Sequence, residues 1–258
     1  MHKFYPLASS SSGNSYLISF DKINILIDIG IGIKSLGLKL QEIGYELSSI
    51  NAIFITHEHI DHIKGLGSFL KKYQIPIYAT KKTWDYILEF SSIKNINTSN
   101  IYIIEPDCCI DFFGISIMAF DVPHDAAQPV GYSIEYNNQK IIICTDCGYI
   151  TEKILKNSYN ADTILVEANH DIDMLDNGPY PLYLKKRISS NKGHLSNSQA
   201  ALFLKDIITK KTKQIFLGHI SKSNNNPMVA FETVKHILES NKILVNQEFC
   251  PNLYIITK

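Results

Sequence analysis

The stretch that decides the fold is Ala52-Ile-Phe-Ile-Thr-His-Glu-His-Ile-Asp-His62, where an apolar run leads directly into three histidines and an aspartate. Residues 53–55 have the pattern of a short buried strand, and the apolar residues within 66–73 have helical spacing. The polar side chains therefore lie on a turn between a strand and a helix. Imidazole nitrogens suit zinc, iron and other first-row metals, and a carboxylate adds a harder oxygen ligand. The turn predicts a metal site.

The spacing within this turn favours two adjacent cations. His57 and His59 are two residues apart, which places them on the same side of an extended segment. Asp61 and His62 open the next helix and can point elsewhere, so one turn can supply ligands to two metal ions. A polar turn with unrelated histidines is the alternative. With only nine histidines in 258 residues, the spacing favours the metal site.

The composition allows a sizeable core. Of 258 residues, 45% are hydrophobic and 19% are charged, which fits one α/β domain or two small ones, and we expect a single domain over residues 1–258. Lysine plus arginine equals aspartate plus glutamate, so the net charge attracts neither nucleic acid nor membranes. Any electrostatic recognition of a substrate must therefore come from a local patch.

The N-terminal sequence Met-His-Lys-Phe-Tyr-Pro lacks the apolar core of a signal peptide. No apolar run approaches the roughly 20 residues that cross a membrane, so we expect a cytoplasmic protein without membrane attachment. The cysteines are Cys108, Cys109, Cys144, Cys147 and Cys250, an odd number that fits reduced thiols. Cys144-x-x-Cys147 begins inside an apolar strand and has no second pair, which disfavours a redox or zinc role.

Polar residues elsewhere share one position in the predicted secondary structure, since each follows an apolar strand run by a few residues at most. These residues are Asp28, His57, His124, Asp146 and His219. Loops held by a rigid sheet are the usual place for an active site, and a two-metal site needs ligands from several such loops. We therefore expect these side chains to meet at one edge.

A basic cluster precedes one further histidine. The cluster consists of Lys185, Lys186 and Arg187 in a predicted helix at 181–188, followed by Lys192. His194 then lies just before Ser196-x-x-Gln199, a capping-box pattern that opens another helix. A solvated helix face is the default interpretation of such a charge run, and contact with a polynucleotide backbone is the functional alternative.

Together these residues resemble the metallo-β-lactamase-fold hydrolases, whose five motifs they match in order over essentially the whole chain. A finer resemblance, to the small YycJ/WalJ-type members, rests on stretches beyond those ligands. They are Ala8-Ser-Ser-Ser-Ser-Gly-Asn14, Thr56-His-Glu-His-Ile-Asp-His-Ile-Lys-Gly65, Thr145-Asp-Cys-Gly-Tyr149, Glu167-Ala-Asn-His170 and Gly193-His-Leu-Ser-Asn197. The resemblance implies a four-layer αββα sandwich without an added cap domain.

Matching positions in the family imply two divalent metal ions, zinc first, with manganese or iron as alternatives. The implied ligands are His57, His59 and His124 for one ion, Asp61, His62 and His219 for the other, and Asp146 as a bridge. Asp28 would orient a ligand or the bridging solvent, and Asp61, Asp28 and His194 are the implied catalytic side chains. Antibiotic-hydrolysing β-lactamases have a cysteine in place of Asp146 and an arginine in place of His62, which disfavours that activity.

The implied chemistry is hydrolysis by a metal-bridging hydroxide. The first hypothesis is a phosphodiesterase of the 5′-to-3′ DNA exonuclease type, in which His194 donates a proton to the departing alkoxide or binds phosphate. The basic cluster would then contact the DNA backbone. Without room for a cap domain between Asp146 and His219, loops or the second subunit of a homodimer would hold the substrate.

Two alternatives remain open at this point. A thioester or lactone hydrolase of the glyoxalase II type would use the same metals and leave His194 and the basic cluster without a role. A metal-stabilised binding module is the third hypothesis. It is disfavoured because open coordination positions and a complete bridging set favour chemistry over structure.

Overall fold

The described part of the chain is built on two β-sheets. The computed structural model describes residues 2–90, 98–248 and 250–257. Within these ranges the first sheet has six strands in the order β1-β2-β3-β4-β5-β6. They are β1 (His2–Ser10), β2 (Gly13–Phe20), β3 (Ile23–Ile27), β4 (Ala52–Phe54), β5 (Ile77–Ala79) and β6 (Ile101–Ile103). Strands β1 to β3 are antiparallel, and β3 to β6 are parallel.

The second sheet of the same ranges has seven strands in the order β13-β12-β11-β10-β9-β8-β7. They are β7 (Cys109–Phe112), β8 (Ile115–Asp121), β9 (Val130–Tyr136), β10 (Gln139–Cys144), β11 (Thr163–Glu167), β12 (Gln214–Gly218) and β13 (Asn252–Ile255). Strands β7 to β10 form an antiparallel meander, and β10 to β13 are parallel. Parallel strands need crossover connections, and helices supply them here.

The helices follow the strands along the chain. They are α1 (Ile33–Glu42), α2 (Ile60–Ile63), α3 (Leu66–Leu70), α4 (Lys81–Phe90), α5 (Glu152–Ser158), α6 (Ile172–Asn177), α7 (Leu182–Ile188), α8 (Asn197–Ile207) and α9 (Pro227–Ser240). Helix α8 begins with the predicted capping box of Ser196 and Gln199, and the Asn226 side chain caps α9. Among the described residues, none of these helices combines the length and the apolar character needed to cross a membrane.

Apolar side chains of the described residues pack in three clusters. One lies between the two sheets, where the ring centroids of Phe54 and Tyr132 are 5.8 Å apart. Another packs α1, α3 and α4 on the outer face of the first sheet, and the third packs α5, α8 and α9 on the outer face of the second. Strand side chains alternate between faces, so a strand covered on both faces is buried throughout, as β2 is. The predicted four-layer αββα sandwich is confirmed.

Three strand ends carry a polar residue in the left-handed backbone region. Asp28 (φ 57°) follows β3, Asp146 (φ 55°) follows β10, and His219 (φ 52°) follows β12. Residues other than glycine seldom adopt this conformation, and they keep it where the surrounding structure holds it. Each of the three turns the chain sharply at the end of a parallel strand, and the polar side chains lie at one edge of the sandwich.

Some predicted elements have different bounds. The serine-rich segment at 9–15, predicted as a turn between two strands, is mostly strand, and only Ser11 and Ser12 lie between β1 and β2. Ser9 pairs with Asn14 and Ser10 with Gly13 in the ladder, so composition misidentified a strand end as a linker. The helical pattern at 66–73 corresponds to the shorter α3. The loop predicted at 91–100 lies outside the described residues as far as residue 97.

Candidate metal centre

Three histidines from two separate loops form the first group of candidate ligands. His57 and His59 follow β4, and His124 follows β8. One ring nitrogen from each of the three lies within 4.8 Å of the others, and their ring centroids are 4.6 to 5.2 Å apart. Burial lowers the pKa of both His57 and His124, so these imidazoles are neutral at pH 7. Neutral imidazole is the form that binds metal.

The Nδ1 atoms of His57 and His124 are held by uncharged partners. His57 Nδ1 lies 3.0 Å from the Thr56 hydroxyl, and His124 Nδ1 donates to the Gly193 carbonyl oxygen at 3.0 Å. A proton on Nδ1 leaves the lone pair on Nε2. The Nε2 atoms of His57 and His124 are buried without a hydrogen bond among the described residues. Buried nitrogens without partners are costly in a protein, and a shared cation would satisfy them.

The second group combines a carboxylate with two imidazoles. Asp61 and His62 lie in α2, and His219 follows β12. Asp61 Oδ2 is 3.5 Å from His62 Nε2 and 3.7 Å from His219 Nε2. Burial alone would lower the pKa of His62 and His219, but the neighbouring carboxylates raise it by more. The Asp146 carboxylate helps raise the pKa of His219 to about 10 and that of His62 well above its usual value.

Asp146 lies between the two groups. Its Oδ2 is 3.3 Å from His62 Nε2, and its Oδ1 is 3.5 Å from His219 Nε2 and 3.8 Å from His124 Nε2. Burial favours the protonated acid, but the His219 and His62 imidazoles hold the pKa of Asp146 well below its usual range. A charged carboxylate facing both groups can contact two cations at once. The structure thus brings all seven predicted ligands together, and their role as ligands stays a prediction.

Asp28 supports both groups from behind. Its Oδ1 accepts from the Thr56 backbone N–H at 2.8 Å, and its Oδ2 accepts from the Thr56 hydroxyl at 2.9 Å. His62 Nδ1 also lies 2.8 Å from Asp28 Oδ2. Asp28 therefore contacts His62 directly and reaches His57 through the Thr56 hydroxyl. This is the arrangement expected of a residue that orients metal ligands, which is the role predicted for Asp28.

His194 is close to the centre but belongs to neither group. Its Nδ1 is 3.0 Å from Glu167 Oε2 and 3.7 Å from Asp146 Oδ1, and the His194 side chain is 20% exposed. The backbone of the preceding residue, Gly193, packs on the end of α7, where an added Cβ would lie 2.0 Å from the Ile188 carbonyl oxygen. Close packing against α7 therefore fixes the position of His194 at the rim of the site.

Sequence reasoning missed the role of Glu167. Its Oε1 accepts from the backbone N–H groups of Cys147 and Leu195, and its Oε2 faces the Nδ1 atoms of His194 and His219. Burial alone raises the pKa of this carboxyl, but His194 and His219 lower it to about 2. Glu167 is the last residue of β11, at the same edge as Asp146. Its position at the end of an apolar strand, like that of Asp146, could have identified Glu167 as a site residue from the sequence.

A cavity of about 250 Å³ opens over the centre. His194 and all candidate ligands except His57 and His62 line it, together with Tyr180, Leu184, Arg187 and Ile188. The last four residues belong to α7 and the segment before it. The cavity therefore gives a substrate access to the groups that face both ligand sets.

The predicted basic cluster divides into two pairs. Lys185 donates to the Asp176 carbonyl oxygen at 2.8 Å, and Arg187 forms an ion pair with Asp125, so these two side chains fix α7 in place. Lys186 and Lys192 are exposed. Arg187 is exposed as well, but its charge faces Asp125. Lys186 and Lys192 are therefore the pair better suited to phosphate contacts.

Comparison with known proteins identifies the family. The sequence pattern of the beta-lactamase superfamily domain matches residues 23–220. The exodeoxyribonuclease YycJ of Bacillus anthracis is 37% identical over 246 residues, which cover 95% of this chain and 92% of the relative. The exodeoxyribonuclease WalJ of Streptococcus pneumoniae is 37% identical over 247 residues, which cover 96% of this chain and 92% of the relative.

Solved structures agree with this fold. The metallo-beta-lactamase fold protein YhfI of Bacillus subtilis superposes with a TM-score of 0.72 at 15% identity, covering 99% of this chain and 96% of that one. The short form of human tRNase Z superposes with a TM-score of 0.64 at 21% identity, covering 86% of this chain and 93% of that one. The chain therefore belongs to the beta-lactamase superfamily, in the same family of hydrolases as the YycJ and WalJ exodeoxyribonucleases.

Proposed function

We propose that this protein is a dinuclear-metal phosphodiesterase that degrades DNA from an end in the 5′-to-3′ direction. The observation that carries the proposal is the pair of ligand groups on either side of Asp146. One group would hold one cation through three imidazoles, and the other would hold a second cation through Asp61, His62 and His219. The names of the relatives, both exodeoxyribonucleases, support DNA as the substrate.

The donor set fits divalent cations. Imidazole nitrogen and carboxylate oxygen are ligands of zinc, and a bridge made of oxygen also suits manganese and iron. The buried Nε2 atoms of His57 and His124 in the first group, and of His219 in the second, have no hydrogen bond among the described residues, which supports a bound ion at each position. A bound pair of divalent cations supplies an activated water and neutralises charge that develops on a phosphoryl oxygen.

The side chains of this chain have separate tasks in that reaction. Asp146 and Asp61 supply fixed negative charge, and Asp28 keeps His62 oriented. His194 faces the cavity with Nδ1 held by Glu167, so its other ring nitrogen is the one that can give a proton to the departing alkoxide. The Glu167 carboxylate, with a pKa of about 2, stays charged and stabilises the protonated imidazole.

A basic pair outside the cavity supports a polynucleotide over a small ester. Lys186 lies in α7, which contributes to the cavity lining, and Lys192 lies two residues before His194. Both are exposed and would contact phosphates of the DNA strand. A thioester has a thiolate leaving group that needs no proton, so a His194 held by Glu167 would have no task in thioester hydrolysis. The arrangement therefore favours the phosphodiesterase over the thioesterase. A homodimer stays a prediction.

The test is an assay of end-labelled single-stranded DNA, double-stranded DNA and RNA beside an acyl-glutathione thioester, each with zinc, manganese or iron. We expect DNA to shorten from its 5′ end. His194→Ala should lower kcat by about 10²- to 10⁴-fold while two metals per chain are kept, because a general acid is lost and no ligand is.

The matched control is His236→Ala, which removes an exposed histidine of α9 away from the centre and should leave kcat unchanged. Unchanged DNA cleavage by His194→Ala would remove the acid assignment. Turnover of the thioester alone, with every nucleic acid intact, would replace the phosphodiesterase by the thioesterase.

A further inference from the structure

The adjoining ends of β1 and β2 contact the second ligand group. Asn14, the second residue of β2, is fully buried. Its side-chain Nδ2 donates to Asp61 Oδ2 at 3.1 Å, across 47 residues of sequence. The same nitrogen lies 3.1 Å from the Ser10 carbonyl oxygen and 3.1 Å from His62 Nε2.

Hydrogen-bond counting fixes the orientation of this amide. Asn14 Oδ1 accepts from the Ser10 backbone N–H at 3.1 Å and from the Tyr16 hydroxyl at 3.2 Å, so the oxygen and nitrogen cannot be exchanged without loss. The amide has two N–H donors. His62 Nδ1 faces the Asp28 carboxylate and carries a proton toward it, so Nε2 is the nitrogen that can bind a cation. The two donors are therefore used by the Ser10 carbonyl oxygen and by Asp61.

The hydrogen bonds continue from Asn14 to another ligand of the same group. The Tyr16 hydroxyl, which donates to Asn14, lies 2.7 Å from the Ser9 hydroxyl. Ser9 Oγ in turn accepts from the His219 backbone N–H at 2.7 Å, across 210 residues. All donors agree in direction, from His219 through Ser9 and Tyr16 to Asn14 and on to Asp61. One chain of hydrogen bonds thus joins two candidate ligands, and its members Ser9, Asn14 and Tyr16 are called the β1–β2 bracket.

The backbone around the bracket is also fixed. The Asn14 carbonyl oxygen accepts from Gly30 N–H at 2.8 Å. Gly30 is wedged between the bracket and α2, since an added Cβ would lie 1.6 Å from the Asp61 carbonyl oxygen and 2.6 Å from the Asn14 nitrogen. The backbones of Asn14 and Asp61 therefore pack closely against Gly30. The amide of Asn14 is therefore held in place before any cation binds.

The bracket forms hydrogen bonds with the second ligand group and not with the first. Within the described ranges, no hydrogen bond of Ser9, Asn14 or Tyr16 reaches His57, His59 or His124. His57 is oriented by Thr56 instead, and His124 by Gly193. Removal of the bracket should therefore affect the two cation positions unequally.

We propose that Asn14, through the bracket, is a positioning residue for the second cation position only. This inference rests on the proposed dinuclear centre. Asn14 does not line the cavity, so it would act by fixing the Asp61 carboxylate and the His219 backbone, and it has no contact with substrate. The outer partners of a metal ligand typically contribute 10- to 100-fold to affinity, which is large enough to measure.

The experiment measures zinc binding without any substrate. The wild-type chain and Asn14→Ala are loaded with zinc and dialysed, zinc per chain is counted by elemental analysis, and both affinities are obtained by competition with a chromophoric chelator. We expect two zinc ions in the wild type. In Asn14→Ala, one should stay as tight as before and the other should bind about 10- to 100-fold more weakly.

Two further variants provide a control and a safeguard. Ser12→Ala removes an exposed hydroxyl of the turn between β1 and β2 and should change neither affinity. Tyr16→Phe keeps the ring and breaks the bracket at its hydroxyl, so it should weaken the same position by a smaller factor. If circular dichroism shows that Asn14→Ala is unfolded, Tyr16→Phe decides the question.

Combination with His59→Ala identifies the position, because His59 belongs to the first group. The double variant Asn14→Ala, His59→Ala should weaken both sites, each by the factor of its single change. Equal loss at both positions in Asn14→Ala, or two unchanged affinities in both bracket variants, would overturn the inference while leaving the dinuclear centre intact. Fewer than two zinc ions in the wild-type chain would instead contradict the proposed function itself.

Discussion

The two ligand groups lie side by side and are oriented by opposite chemistry. In the first group, His57 and His124 have neutral partners at Nδ1, the Thr56 hydroxyl and the Gly193 carbonyl. In the second, the Nδ1 atoms of His62 and His219 face the Asp28 and Glu167 carboxylates. Burial lowers the pKa of the first pair, whereas carboxylates overcome burial and raise the pKa of the second.

This difference shows how the partner of each imidazole can give two adjacent cation positions different protonation in the absence of metal. A neutral partner leaves an imidazole neutral and ready for a cation. An anionic partner makes the imidazole more basic, so in the absence of metal the second group holds protons in the place of a cation. The first group should therefore bind metal without releasing protons from His57 or His124, and the second should exchange protons for metal.

The largest effect is expected from the residue that both groups share. Asp146→Ala removes the carboxylate that faces His62, His219 and His124. Both zinc affinities should fall, and kcat on DNA should drop by on the order of 10³-fold, since several kcal/mol of transition-state stabilisation depends on a correctly held metal pair. Asp206→Ala, at an exposed aspartate of α8, is the control. Loss of only one zinc would show that Asp146 does not bridge the groups.

The pH dependence of zinc binding should separate the groups. His219 has a pKa of about 10 and that of His62 is also raised, so both carry protons at pH 7 and zinc must displace them. Each displaced proton makes binding about tenfold tighter per pH unit, so the proton on His219 gives at least about tenfold per unit at the second position between pH 6.5 and 8.5, and His62 adds to this slope below its raised pKa. Affinity there rises with pH. His57 and His124, with lowered pKa values, add no such slope above pH 6.5.

Chelator competition at pH 6.5, 7.5 and 8.5 measures both slopes on the same sample. Calorimetry in buffers of different ionisation enthalpy counts the protons released at each position. Two equal slopes would mean that the anionic partners of His62 and His219 do not govern metal binding, and the comparison between the groups would lose its physical basis.

The sequence was informative about the ligands because each lies at a strand end. Asp28, Asp146 and His219 come directly after apolar runs, and parallel strands bring such positions to one edge. The four layers follow from the same runs, since strands that are apolar throughout must be covered on both faces. These features are local in sequence, and family motifs supplied the remaining assignments.

The supporting side chains were harder to find, because their partners are distant and their own chemistry is ordinary. Asn14 and Ser9 lie in a serine-rich stretch whose composition indicates a turn, and their contacts to Asp61 and His219 span 47 and 210 residues. Glu167 ends a strand as Asp146 does, yet only the fold shows that it faces His194. Polar residues with buried partners therefore need the three-dimensional structure.

A smaller effect is expected from Asp28→Asn. An amide can still accept from the Thr56 backbone N–H through its oxygen, but its NH₂ would then face His62 Nδ1. That forces His62 to carry its proton on Nε2, which is the wrong tautomer for metal binding. The second zinc should bind about 10- to 100-fold more weakly, with less change at the first. Asp85→Asn on the exposed face of α4 is the matched control. A loss confined to the first position would contradict the assignment of Asp28 to His62.

The smallest effect is expected from Thr56→Val, which tests how the first ligand group is oriented. The Thr56 hydroxyl donates to Asp28, accepts from His57 Nδ1 at 3.0 Å and lies 3.2 Å from His62 Nδ1, so valine removes all three contacts at nearly constant volume. Because His57 also packs against His59, His62 and His124, its ring should stay close to its position. We expect about tenfold weaker zinc binding at the first position, the lower end of the range for an outer partner, and an unchanged pH slope at the second. A larger loss at the second position would show that Thr56 acts mainly through Asp28, and that the two groups are less independent than their separate partners indicate.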